Sequence, residues 1–246
     1  VFTLNGVGDV IRVERGNLSI NYTRDRFGNI LSTDNGRAVY ANEYNELGIL
    51  TKIFDLHNVE TRTYDSRARL ATRSFSSGQV FEYSYDNFDR VTRITNSHGP
   101  ELENEYDIMG RLVRQVLTDG STRQTTRYEW DERDRLLAVT NAKGERTVNA
   151  YDPVHLSERP ISVTDPKGNT IHFEYDSMDR LVRQIDAKGA VTQFTYTPKG
   201  ELALVIDANG NETRFQYDGN GRKVQEVRAT AMSDSSGNHT AVDQVI

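Results

Sequence analysis

Five histidines, His57, His98, His155, His172 and His239, are the side chains best suited to hold a metal or move a proton near neutral pH. They lie far apart, with no metal-ligand spacing among them, and read as exposed strand or turn histidines. Two acidic stretches, Asp207-Ala208-Asn209-Gly210-Asn211 and Asp218-Gly219-Asn220-Gly221, resemble the start of a calcium loop. Such a loop needs a bidentate Glu at its twelfth position, and the residues there are Asp218 and Ala229. There is no cysteine, so neither a thiol nucleophile nor a disulfide is available. No GxSxG elbow and no phosphate-cradling glycine loop occurs. The expectation is a chain that is not an enzyme, with no catalytic residue, no metal site and no cofactor.

The acidic residues recur on a fixed period, which points to architecture instead of catalysis. A tyrosine-aspartate pair returns about every 21 residues, at Tyr64-Asp65, Tyr85-Asp86, Tyr106-Asp107, Tyr151-Asp152, Tyr175-Asp176 and Tyr217-Asp218. Trp130-Asp131, Tyr44-Asn45 and Tyr196-Thr197 are variants in phase, and Tyr22 opens the series in a shifted form with Asp25-Arg26-Phe27-Gly28 after it. Two gaps, Tyr106 to Trp130 and Tyr151 to Tyr175, are 24 residues long. Trp130-Asp131 matches the propeller dipeptide, but a propeller predicts alternation between odd and even units. Arg111-Leu112-Val113-Arg114-Gln115 and Arg180-Leu181-Val182-Arg183-Gln184, three units apart, match in full and speak against it.

Each unit holds two turn signals. Asp or Asn stands first and Gly fourth, as in Asp107 to Gly110, Asn141 to Gly144, Asp186 to Gly189 and Asp207 to Gly210; Gly200 and Gly221 hold the same place. That is a type I turn with a left-handed fourth residue, where Gly has no steric penalty. Asp89, Asp134 and Asp179 stand where Gly is expected, and Asp tolerates that region better than most residues. Ala68 also stands there, without that excuse.

The runs between turns read as strands. Thr192, Phe194 and Tyr196 alternate with Gln193 and Thr195, and Thr213, Phe215 and Tyr217 alternate with Arg214 and Gln216, the period of a half-buried strand. The return run Leu112 to Leu117 is apolar on both faces, so its inner face is not assignable from pattern. Tyr106, Tyr175, Tyr196 and Tyr217, with Phe194 and Phe215, are expected to stack across successive hairpins. The predicted fold is all-β: an extended antiparallel meander of about ten two-stranded repeats, coiled into a spiral because long open sheets curl. The array is expected over residues 1–228, clearest over 64–227. Residues 229–246 read as a linker or the start of a further segment, on the small polar composition from Ala229 to Asn238.

Composition narrows the function. The 246 residues carry a formal net charge of −6, which argues against nucleic acid as a partner. A hydrophobic fraction of 36% and a mean hydropathy of −0.67 are lean for a compact globule and natural for a thin sheet with a wet face. No apolar run reaches membrane-spanning length. The chain opens on Val1-Phe2-Thr3-Leu4, which suggests a piece of something longer.

Tyr106-Asp107-Ile108-Met109-Gly110-Arg111-Leu112, with Tyr217-Asp218-Gly219-Asn220-Gly221-Arg222 close to it, resembles the Rhs/YD-repeat family. The likeness covers roughly Tyr22 to Val227. It implies a large secreted or surface protein, exported from the bacterial cytoplasm, whose repeats wind into a hollow β-shell. In polymorphic toxins and insecticidal toxin complexes that shell encloses a C-terminal toxin, and delivery runs through a type VI secretion system or an injection partner. The partners implied are the enclosed toxin and the remaining shell of the parent. Wall-associated proteins and teneurins of the same family imply the alternative, an extracellular adhesion or carbohydrate-binding array. Asp165-Pro166-Lys167-Gly168 is similar to the self-cleavage signature of some toxin carriers, but it sits in phase with Asp186-Ala187-Lys188-Gly189 and reads as a routine repeat turn.

Overall fold

A computed structural model describes residues 1–154, 157–233 and 239–245, with side chains placed to residue 229. Among the described residues there is no helix; twenty-three strands follow one another in chain order. The chain divides into two compact units, Val1–Thr125 and Thr126–Ile246.

The first unit contains β1 (Phe2–Leu4), β2 (Val10–Arg15), β3 (Leu18–Arg24), β4 (Ile30–Asp34), β5 (Val39–Tyr44) and β6 (Leu50–Phe54). It continues with β7 (Val59–Tyr64), β8 (Leu70–Phe75), β9 (Val80–Tyr85), β10 (Val91–Asn96), β11 (Glu101–Tyr106) and β12 (Leu112–Asp119). β13 (Thr122–Trp130) starts in the first unit and ends in the second. The second unit then holds β14 (Leu136–Thr140), β15 (Arg146–Ala150), β16 (Ser162–Thr164), β17 (Thr170–Tyr175), β18 (Leu181–Ile185) and β19 (Val191–Tyr196). β20 (Leu202–Ile206), β21 (Glu212–Tyr217), β22 (Lys223–Ser233) and β23 (His239–Val245) complete it. Within each unit consecutive strands pair antiparallel, as β5 with β6, β6 with β7, β19 with β20 and β20 with β21.

The turn chemistry expected from sequence is present. In the β11–β12 hairpin the Gly110 amide donates to the Asp107 carbonyl at 3.1 Å, and the Asp107 amide donates to the Arg111 carbonyl at 2.9 Å. Gly110 has φ +90°, which an L-residue adopts only with strain. Ala68, Asp89, Asp134 and Asp179 take the same left-handed conformation, with φ between 59° and 63°. Register slips by one at each tyrosine: Tyr106 faces Leu112 while Glu105 faces Arg114, a β-bulge repeated at Tyr44, Tyr64, Tyr175, Tyr196 and Tyr217.

The tyrosine strands alternate as predicted. In β19, Phe194 and Tyr196 are half-buried while Gln193 and Thr195 are exposed, and β17 and β21 repeat the pattern. Cross-strand register settles the return strand. Gln184 lies opposite Phe173 on the aromatic face, and Arg183 lies opposite Glu174 on the other, where the two form an ion pair of 2.9 Å. Among the described residues, only Ala38, Val116, Ala138 and Ala229 are buried apolar side chains. Each unit is therefore held by ladder hydrogen bonds and half-buried side chains more than by a sealed core.

Three details depart from the sequence reading. Arg24, not Tyr22, occupies the tyrosine register of its repeat, since it faces Ile30 across the bulge as Tyr44 faces Leu50. The stretch read as a linker or the start of a further segment opens as strand: β22 runs through Ala229–Ser233 and pairs with β23, where a returning partner satisfies its backbone groups. Residues 234–238 of that stretch, and His155, lie outside the described residues. The two long gaps have separate causes: β12 and β13 are eight and nine residues long, whereas Asp152 and Arg159 stand seven apart where other repeats have Asp and Arg four apart.

Candidate functional site

The residues singled out from sequence converge on one repeated feature, a staple that ties each hairpin to the next. The aspartate comes first. Asp176 Oδ1 accepts the amides of Met178 at 2.9 Å and Arg180 at 3.0 Å, and Oδ2 accepts Arg180 Nε at 2.7 Å. Asp65, Asp86, Asp107, Asp131 and Asp218 make the same carboxylate–guanidinium bond with Arg69, Arg90, Arg111, Arg135 and Arg222. Hydrogen bonding from the Arg180 side chain, then from its amide, holds the Asp176 carboxyl below the usual range; the Arg111 side chain does so for Asp107.

The arginine then reaches the next tyrosine. Arg180 lies over the Tyr196 ring at 4.7 Å, Arg69 over Tyr85 at 4.6 Å, Arg90 over Tyr106 at 4.7 Å and Arg135 over Tyr151 at 4.6 Å. Guanidinium planes suit this double duty, giving a fork of donors at the edge and a flat face to the ring. The tyrosine closes the link. Its hydroxyl donates to the carbonyl 14 or 15 residues earlier, at the start of the preceding hairpin's return strand. Tyr64 reaches Leu50 at 2.6 Å, Tyr85 Leu70 at 2.8 Å, Tyr106 Val91 at 2.9 Å and Tyr151 Leu136 at 2.9 Å. Tyr175 reaches Pro160, Tyr196 Leu181 and Tyr217 Leu202, between 2.8 and 3.0 Å. Burial pushes the Tyr85 and Tyr175 hydroxyls above the ordinary tyrosine value, so both remain donors.

The expected stacking of Tyr106, Tyr175, Tyr196 and Tyr217 with Phe194 and Phe215 is not what joins successive hairpins. Equivalent tyrosines are two strands apart, about 9.6 Å, beyond the 4.5–7 Å of ring contact. Arginine fills the interval, as Arg159 does for Tyr175 and Arg180 for Tyr196. Phe75 and Phe81, on adjacent strands, do meet edge to face at 6.1 Å.

Variant positions keep the logic with other atoms. Trp130 takes the tyrosine register opposite Leu136. Thr197 replaces Asp: its Oγ1 accepts the Glu201 amide at 3.2 Å and donates to the Glu201 carboxylate, and Gly200 closes the turn on the Thr197 carbonyl at 2.9 Å. Gly221 closes on Asp218 at 3.1 Å. Asp152 begins the longer connection, where its Oδ1 accepts the Val154 amide at 2.7 Å and its carbonyl accepts Arg135. Beside that connection a recess of about 790 Å³ is lined by Asp152, Arg159, Phe173, Tyr175 and Asp176 among others.

The stretches considered for other chemistry are spent on turns. Asp207 Oδ1 accepts the amides of Asn209 and Asn211 at 2.8 Å, and Oδ2 accepts Asn211 Nδ2 at 2.7 Å. Asp165 does the same with Lys167 and Asn169, and the Asn169 side chain holds its carboxyl below the usual range. No three His, Asp or Glu side chains among the described residues gather into a metal-holding group. The arginine directly after the turn's fourth residue stands in the repeat motif, as Arg111 and Arg222 do, but the sequence alone assigns it no partner.

This arrangement defines a YD-repeat β-sheet protein. The sequence matches the teneurin YD-shell family over residues 100–233, more than half of the chain, and the chain belongs to that family. Solved structures share the fold. The chain superposes on one chain of the TcdB2-TccC3-Cdc42 crystal structure with a TM-score of 0.71 at 14% identity, covering 97% of this chain and 16% of that one. For TcdB2-TccC3-TEV the TM-score is 0.63 at 14% identity, covering 98% and 15%. For the Photorhabdus luminescens Tc holotoxin pore with a TccC3 mutation it is 0.55 at 13% identity, covering 100% and 15%. The chain thus spans about a sixth of the solved chains it matches. A search of curated protein sequences returns no match. No helix among the described residues is long and apolar enough to cross a membrane.

Proposed function

We propose that this chain is a wall segment of an Rhs-type toxin carrier, exported from a bacterium, in which the YD-repeat shell encloses a C-terminal toxin domain until delivery. The observation that carries this reading is the staple itself. Its tyrosines, aspartates and arginines are committed to one another and to backbone, so the repeat's recurring chemistry serves cohesion. The fold shared with TcdB2-TccC3 structures supports the same class of assembly. The partners are then the rest of the parent shell, the enclosed domain, and an injection or secretion partner. The segment's own role is passive and not enzymatic: a hydrogen-bonded sheet denies proteases the extended backbone they need.

Limited proteolysis of the parent protein tests this. The enclosed domain should survive while the wall is intact and become labile when Gly110 or Gly210 is replaced by a bulky residue, since Gly110 and Gly210 sit at φ +90° and +81°. Digestion of the domain in the intact parent at the rate of the free domain would exclude containment and favour a surface adhesion array.

A further inference from the structure

Asparagine followed by glycine can modify itself without an enzyme, because the glycine amide has no Cβ beside it to keep it from the preceding side-chain carbonyl. The chain has four such pairs, Asn5-Gly6, Asn35-Gly36, Asn209-Gly210 and Asn220-Gly221. Their surroundings differ. In the β4–β5 turn the Gly36 amide donates to Asp34 Oδ1 at 2.8 Å. Asn35 Oδ1 accepts the amides of Arg37 and Ala38, each at 2.9 Å. Two N–H donors on one atom identify it as the oxygen. Base, carbonyl and nucleophile thus stand on Asp34, Asn35 and Gly36 in order, and Asn35 and Gly36 are exposed to water. The Gly210 and Gly221 amides instead donate to the neutral carbonyls of Asp207 and Asp218, at 3.0 and 3.1 Å. Asn5 Oδ1 accepts the amides of Val7 and Asp9 at 3.0 and 2.9 Å, but the Gly6 amide has no acceptor among the described residues.

We propose that Asn35 is a site of spontaneous deamidation, with Asp34 as the base and the Arg37 and Ala38 amides as oxyanion donors. Gly36 N attacks Asn35 Cγ as its proton passes to Asp34 Oδ1. The oxygen of the tetrahedral intermediate, Asn35 Oδ1, already faces two amides that stabilise its developing negative charge. The Cγ–Nδ2 bond then breaks, and Nδ2 takes the proton from Asp34 and departs as ammonia. A five-membered imide joins residues 35 and 36, and water opens it at either carbonyl to leave aspartate or isoaspartate. Aspartate suits the turn: in the β6–β7 turn Asp55 Oδ1 accepts the amides of His57 and Asn58, each at 2.8 Å. Isoaspartate lengthens the backbone by a methylene just after Asp34 pairs with Val39, so it loosens the hairpin end. Either product adds a negative charge to the first unit. This inference does not depend on the enclosing role proposed above.

Peptide mapping by mass spectrometry of the whole chain, aged at mildly alkaline pH, tests it. Asn35 should gain the mass of amide-to-acid conversion at least about tenfold faster than Asn209 or Asn220, short of the ~10²–10⁴-fold that a positioned base contributes in enzymes. Asn5, which has the polarised carbonyl alone, should fall between them. In guanidinium chloride the four sites should convert at similar rates, because the turns are gone. Asp34→Asn keeps an acceptor for the Gly36 amide but removes the base, and should slow Asn35 to the rate of Asn5 while Asn209 keeps its own. If that variant does not fold, the wild-type ranking, folded against unfolded, still decides. Conversion of Asn35 no faster than of Asn209 and Asn220 in the folded chain overturns the proposal. So does an Asn35 rate that a folded Asp34→Asn chain leaves unchanged, or a ranking that persists in guanidinium chloride and therefore owes nothing to the turn.

Discussion

Arg180 binds Asp176 within its own turn, Nε to Oδ2 at 2.7 Å, and covers the ring of Tyr196 in the following hairpin at 4.7 Å. One side chain thus couples a local turn to a neighbour sixteen residues on. The Tyr196 hydroxyl completes the loop by donating to the Leu181 carbonyl, directly after Arg180.

If the guanidinium plane matters, Arg180→Lys should behave as a loss. Lysine keeps the charge but lacks both the fork that meets Asp176 and the face that covers Tyr196. Arg180→Lys and Arg180→Gln should therefore lower the urea midpoint by similar amounts. Arg183→Gln, which removes only the exposed pair with Glu174, should leave it nearly unchanged. A fully stabilised Lys variant would show that charge alone holds the staple.

Tyr196 offers two separable contributions. Tyr196→Phe keeps the ring under Arg180 and loses the bond to Leu181, a cost of about 1 kcal/mol. Tyr196→Ala also loses the half-buried ring, for a total of about 2–3 kcal/mol, at or below the range for a fully buried aromatic. Gln193→Ala, on the exposed face, should change little. Chemical denaturation of the three variants checks the order, and equal effects from Tyr196→Ala and Gln193→Ala would contradict the face assignment.

The period, the turn positions and the alternation of β17, β19 and β21 were legible in the sequence because each is a local property: a left-handed φ asks for Gly, and a period of two asks for one wet face. The partner of each tyrosine was not legible, because Arg180 and Tyr196 meet only once the intervening hairpin has closed. The first repeat departs from the residue-type pattern for a related reason. Arg24 fills the tyrosine place by donating from Nε to the Val10 carbonyl at 3.0 Å, as Tyr44 donates to Ile30 at 3.0 Å. Two residues of different type do one job, so the series read by residue type opens at Tyr22 only in a shifted form. The Ala229–Ser233 strand was hidden by small polar residues that suit a turn and a paired strand alike.

The left-handed positions lead to a contrast between Ala68 and Asp89. Ala68, at φ 60°, gains nothing visible from its side chain, so Ala68→Gly should stabilise the chain by up to about 1 kcal/mol. Asp89, at φ 63°, also accepts Arg69 Nη1 at 2.6 Å, a link between successive turns. Asp89→Gly therefore trades relief of strain against a lost inter-repeat bond, and its midpoint should lie below that of Ala68→Gly. Thermal and urea melts of both variants measure the difference; a larger gain from Asp89→Gly would mean that the bond to Arg69 contributes nothing.

Stability should fall at acid pH through the turn aspartates. The carboxyls of Asp65, Asp107, Asp165, Asp176, Asp207 and Asp218 are all held below their ordinary value of 3.8 by hydrogen bonds from the residue four places on. A lowered folded-state pKa means that the unfolded chain takes up protons first as pH drops. The contribution is therefore present in full above 3.8 and lost as pH falls through the folded values. The arginine partners stay charged throughout and do not offset the loss. The urea midpoint, flat near neutrality, should decline steeply below about pH 4. Asp176→Asn keeps an oxygen for the Met178 and Arg180 amides but no charge for the guanidinium, so its decline should be shallower from a lower starting point. At the other extreme, Tyr85 and Tyr175 have hydroxyls raised above 10.0 by burial, so their contribution is full below that value and is lost as pH climbs past it. A midpoint that holds or rises on acidification would show that the carboxylates do not secure the hairpins.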